Sequence, residues 1–126
     1  ANDIVFSVGY KNLFAVNLVG DDLITIINTR DEGLKYFNNG EAPAELDDKY
    51  DHLFFNDKCL IVYAFKKPID ITDVQAVSVV RNGIRFDVEI QVSVGEDAIT
   101  SECILILEVD KADLEGVEIF MLKEVS

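Results

Sequence analysis

Two short segments limit this fold more than anything else in the chain. Cys59–Phe65 reads CLIVYAF and Cys103–Val109 reads CILILEV. A strand turns successive side chains to opposite faces, so a segment apolar at both odd and even positions has to be covered on both sides. Both segments are therefore expected to be central strands. Neither approaches the roughly 20 apolar residues that a bilayer-spanning helix needs. At 126 residues and 49% hydrophobic, with eight Phe, the chain has the material to sheathe them as a single domain, 1–126.

Between them lies a different pattern. Val74–Val94, VQAVSVVRNGIRFDVEIQVSV, is built around Asn82-Gly83, the pair favoured in a two-residue type I′ turn. That turn pairs Val79 with Phe86, Val77 with Val88 and Gln75 with Ile90 on an apolar face. The opposite, wet face pairs Val80 with Arg85, Ser78 with Asp87 and Ala76 with Glu89. Such a hairpin covers a core on one side only.

The first third reads as strands Ile4–Val8, Leu13–Val19 and Leu23–Ile27, separated by GYKN and GDD. A helix is expected from TRDE, where Thr29 and Glu32 make a capping box, with Leu34 and Phe37 on one face and Gly40 as its stop. NNGEAPAELDD is an acidic connector. Tyr50, Leu53 and Phe54 share one face of a second short helix, and Pro68 ends the strand after it. DKADLEG is a turn opened by Asp110 and closed by Gly116, and Val117–Val125 is a last strand suited to an exposed edge by Lys123 and Glu124. About seven or eight strands and two short helices favour an α+β domain with a curved antiparallel sheet, as a sandwich or an open barrel.

Charge bounds the partners. With 24 acidic against 11 basic residues the net charge is −13, which repels phosphate backbones and anionic lipid heads, so no nucleic-acid partner is expected. No transmembrane segment is expected either. The chain opens at Ala1 without a methionine, as a processed or trimmed product does, and removal of an export signal fits that start.

Catalytic grammar is sparse. The single histidine, His52, sits among aromatic residues with no nucleophile signature, so a structural or exposed role is expected. One His and two isolated Cys lack zinc-site spacing. The carboxylates of DITD, ELDDKYD and GED lack the calcium-loop pattern and read as solvated loop charge. No glycine-rich loop is built to cradle phosphate, and no carboxylate pair is singled out for hydrolysis. No metal or other cofactor is expected. Cys59 and Cys103 both open central strands; if those strands are neighbours a bridge is geometrically open, although buried free thiols are favoured.

From Tyr50 to about Leu122 the chain resembles a family of small bacterial exported proteins, often lipoproteins and mostly of unknown function. The residues that carry this are YDHLFFNDKCLIVY, VQAVSVVRNGIRFDVEI and ILILEVDKADLEGVEIFML. A weaker similarity extends to the C-terminal domain of PrcB-like proteins, which stabilise a surface protease complex. KKPIDITD departs from the small-residue segment usual in that family. The resemblance implies an extracytoplasmic, non-enzymatic domain that binds a protein, such as a surface protein or protease. Contact residues are expected at Lys66, Lys67, Asp70 and Asp73, with the last strand and an acidic loop as further candidates. A small-molecule or cation-binding domain using the acidic loops is the alternative, and a carboxylate-based hydrolase a third.

Overall fold

The computed structural model describes residues 2–13, 22–32 and 49–125. Eight strands form two four-stranded sheets. Sheet A has the order β1 (Asn2–Asp3), β5 (Ile71–Asn82), β6 (Arg85–Val94), β8 (Ile119–Val125). Sheet B has the order β2 (Phe6–Asn12), β7 (Ser101–Asp110), β4 (Lys58–Lys67), β3 (Asp22–Ile27). A four-residue helix, α1 (Phe54–Asp57), leads into β4, and a 3-10 turn at Lys111–Leu114 follows β7. No closed barrel forms among the described residues. Helix is scarcer there than the α+β expectation held, although the body of the helix expected at Leu34 and Phe37 lies outside them.

The two apolar runs are central and adjacent. β4 and β7 pair antiparallel from Lys58↔Asp110 to Lys67↔Ser101. Odd residues of both strands, including Ile61, Phe65, Leu105 and Leu107, face sheet A. They pack with Val74, Val79, Phe86, Val88 and Ile90 in one buried cluster. Even residues Leu60, Val62, Ile104 and Ile106 face the other way, where Tyr50 and Phe55 cover them beside Ile27 of β3. Burying a Phe or Leu is worth about 1.5–3 kcal/mol, so this doubly covered pair supplies much of the driving force.

The antiparallel pairing also settles the cysteines. Both open their strands, so they lie at opposite ends of the ladder: Cys59 faces Val109, and Cys103 faces Phe65. Six residues of ladder separate the two positions, about 20 Å. Both thiols are free and buried, and no bridge joins them.

The hairpin forms, but in another register. Asn82 pairs with Arg85, leaving Gly83 and Ile84 as the loop. Gly83 has φ +61 and stands first in the loop, where the expected turn put it second. Val79 therefore faces Val88, two residues from the expected Phe86, a shift that keeps every side chain on its face. A bulge between Ala76 and Ser78 then changes faces. Below it Val74 and Ala76 turn inward, whereas Val77 is 50% exposed and Gln75 is exposed, the reverse of the expectation.

Other expectations shift by local causes. GYKN is not a turn: β2 runs through it by a bulge at Gly9. A β-carbon on Gly9 would collide with the Tyr50 hydroxyl and the Glu108 carboxylate. Leu13 closes that segment in a turn, and the rest of the expected strand 14–19 lies outside the described residues, as does the acidic connector 38–48. Thr29 Oγ1 accepts the Glu32 amide at 3.2 Å as expected, but the Glu32 carboxylate takes the Asn28 amide at 2.9 Å, one residue early. The second helix starts only at Phe54, whose amide donates to Asp51 Oδ1 at 2.9 Å, and Leu53 is 76% exposed instead of packed. KKPIDITD is mostly strand, with only residues 68–70 outside β4 and β5.

One pairing has no precedent in the local pattern. β8 runs parallel to β6, from Arg85↔Ile119 to Gln91↔Val125, so sheet A is not purely antiparallel. Parallel neighbours need a crossover, and here the chain crosses through β7 of the opposite sheet before returning. Ile84 O receives the amides of Glu118 (2.8 Å) and Ile119 (3.1 Å), setting β8 beside the hairpin tip. Among the described residues no helix is long and apolar enough to cross a membrane.

Candidate interaction surface

β8 is the outer strand of sheet A, and among the described residues no strand pairs with its far edge. Alternation divides its side chains. Phe120 and Leu122 pack against the inter-sheet core. Ile119 (43% exposed) and Met121 (45%) turn outward with Lys123. The strand's C-terminal end is pinned across the sandwich, since Glu124 accepts Tyr63 Oη at 2.9 Å and Lys67 Nζ at 3.0 Å. An edge held in place yet unpaired along seven residues is a ready template for another strand. β1, at the opposite edge, offers only two residues.

Asp87 lies on the outward side of β6, between Val80 of β5 and Met121 of β8. The wet-face pattern predicts an exposed residue, yet Asp87 is only 9% exposed. Its Oδ2 accepts Arg85 Nη2 at 3.1 Å, whereas its Oδ1 is buried with no hydrogen-bond partner. A desolvated carboxylate oxygen without a donor costs about 1–3 kcal/mol or more. Neighbouring Glu89 is satisfied by the Ser78 hydroxyl at 3.2 Å. Nothing in RFDVEI distinguishes Asp87 from Glu89, so sequence pattern missed it.

The expected contact residues gather at one end of the sandwich, each in a pairing within the chain. Lys66 Nζ lies 3.6 Å from Glu102, and Lys67 holds Glu124. Asp70 accepts the Asp97 amide through its carboxylate at 3.2 Å and the Gly95 amide through its carbonyl at 2.8 Å. Asp73 accepts Lys11 Nζ at 2.8 Å and Gln75 Nε2 at 3.0 Å, and these donors hold its carboxyl below the usual range. These pairs tie the end of β4 to β7 and β8, the start of β5 to β2, and the 68–70 connection to the exposed 95–100 loop.

At the other end an open cleft of about 510 Å³ is lined by Asn28, Asn56, Asp57, Lys111 and Glu115 among others. Lys111 Nζ is already engaged by the Phe55 carbonyl. His52 is exposed in the turn before α1, whereas Cys59 is buried in the inter-sheet core, its thiol pushed up to about 11 chiefly by burial. No group of three or more His, Cys, Asp or Glu suited to a metal ion occurs among the described residues. Tyr50 Oη donates to Glu108 Oε2 at 3.0 Å, and Lys49 Nζ stands 3.2 Å from the same oxygen. Burial and the Glu108 carboxylate hold the Tyr50 hydroxyl protonated well above its ordinary range. With the aromatic body of Tyr50 against the outer face of sheet B, that hydroxyl helps anchor the cover over this face.

Comparison of the chain with protein-family models, with curated proteins and with solved structures returned no significant match.

Proposed function

We propose that this chain is a non-enzymatic, extracytoplasmic protein-binding domain that supports a complex by accepting an extended segment of its partner along the β8 edge. The observation that carries this reading is the pinned, unpaired seven-residue edge with Ile119 and Met121 exposed beside it. Strand addition draws affinity from main-chain hydrogen bonds and specificity from alternate side chains, and β8 offers both. The resemblance of Tyr50–Leu122 to exported bacterial proteins supports the location and an accessory role beside a surface protein or protease.

The test is affinity capture from secreted and membrane fractions of the source organism, with variants as controls. A partner held by the wild type and by a Lys66→Ala/Lys67→Ala variant, but lost with Ile119→Lys/Met121→Lys, is the expected outcome. The reverse pattern contradicts the reading and moves the contact to the 66–73 end.

The cleft at Asn28, Asn56 and Lys111 favours a second reading, binding of a small polar molecule. A ligand bound only by the folded state raises the melting temperature by mass action. Thermal shifts from a metabolite panel or calcium, lost in Asn56→Ala, would favour it over strand addition.

A further inference from the structure

The partner segment can be specified further, on the basis of the strand-addition reading. We infer that it carries an arginine or lysine positioned to donate to Asp87 Oδ1 across Met121. Three observations converge. Asp87 is the one described residue with a buried side-chain oxygen lacking a donor, and strand alternation turns it to the outward face of sheet A. Its lateral neighbour on β8 is Met121, half exposed and built from a flexible, polarizable thioether chain that repacks at low cost. The chain carries −13 overall, and on this face Arg85 is already paired with Asp87 while Lys123 stands beside Glu89. That net charge attracts a cationic segment to the molecule and repels an acidic one.

Geometry narrows the donor. A strand added outside β8 lies two strand spacings from β6, about 9–10 Å. Among natural side chains, arginine and lysine have the reach to cross that span and finish in a charge-assisted hydrogen bond of about 2.8 Å. Residues flanking the cation at every second position would lie beside Ile119 and Lys123, so the flank beside Ile119 is apolar.

The probe is a phage-displayed library of random short peptides selected on the full chain. The expected winners share one basic residue with an apolar residue two positions away, and a synthetic winner slows hydrogen exchange at 119–125. Replacing its basic residue with norleucine weakens binding to the wild type about tenfold or more, a loss that shrinks below about twofold on Asp87→Asn. Asp87→Ser serves the same purpose if the first variant fails to fold. Winners without a basic residue, or an equal loss on wild type and variant, overturn the Asp87 assignment, while protection at 119–125 would still uphold strand addition. Winners that leave 119–125 unprotected, or no winners at all, overturn both.

Discussion

The two sheets of this molecule share one core and differ in what lies behind them. Sheet B is covered twice: its central strands face sheet A on one side and Tyr50 and Phe55 on the other. Among the described residues sheet A is covered once, and its outward face carries Val77, Ile119 and Met121 half exposed around a buried carboxylate. The contrast assigns separate work to each. A sheet whose central strands are covered on both faces contributes chiefly to the core. A singly covered sheet with an unpaired edge can change its contacts without disturbing the core.

The largest effects should break sheet B. Phe65→Ala, at a site with no exposure, should cost about 3–5 kcal/mol in denaturant unfolding, and Leu60→Ala on the opposite face of the same strand about 2–5 kcal/mol. Comparable losses from both faces would show that both covers matter. A negligible loss at Leu60 would mean that the Tyr50 cover adds nothing.

Gly9→Ala should come next, at about 1–3 kcal/mol, because the new methyl group meets the Tyr50 hydroxyl and Glu108. Adding Tyr50→Phe removes one of the colliding atoms, so part of the loss should return in the double variant. Strictly additive losses would contradict this contact.

Alkaline pH should act in the same region. Burial pushes the Cys59 and Cys103 thiols from 9.0 up to about 11, so the folded chain keeps protons that the unfolded chain gives up. This contribution is whole below pH 9 and is lost as pH rises through about 11. Melting temperature should therefore fall across that window, and less steeply in Cys59→Ala/Cys103→Ala. The raised Tyr50 hydroxyl acts in the same direction and should leave a residual slope.

The smallest effects belong to sheet A's outward face. Val77→Ala and Met121→Ala should each change stability by no more than about 0.5 kcal/mol, measured by the same unfolding curves. A loss of several kcal/mol at Met121 would mean that this face is structural, and the contrast between the sheets would fail.

Much of this contrast was legible in the sequence, at the level of pattern. CLIVYAF and CILILEV read as doubly covered strands because no register can bring either one's apolar residues to a single face, and both proved central. The hairpin's existence followed from Asn82-Gly83, but its turn moved to Gly83-Ile84 and a bulge at Val77 exchanged the inward residues below it. A bulge is a relation between two strands, decided when Val74 and Ile71 find room in the core, and no property of VQAV alone announces it. Pairing direction is likewise non-local. β8 was recognisable as an edge strand, but its parallel run beside β6 depends on the chain crossing through sheet B. Asp87 was hidden for the opposite reason: alternation marked it as wet, and the neighbours that bury it lie on other strands.

The most direct test of the division between the sheets is hydrogen exchange on the free chain and on its complex with a captured partner or a selected peptide. Slow exchange throughout β4 and β7 is expected in both states, with new protection on binding concentrated at 119–125. Protection that instead appears in the 66–73 and 95–100 segments, with β8 unchanged, would contradict it.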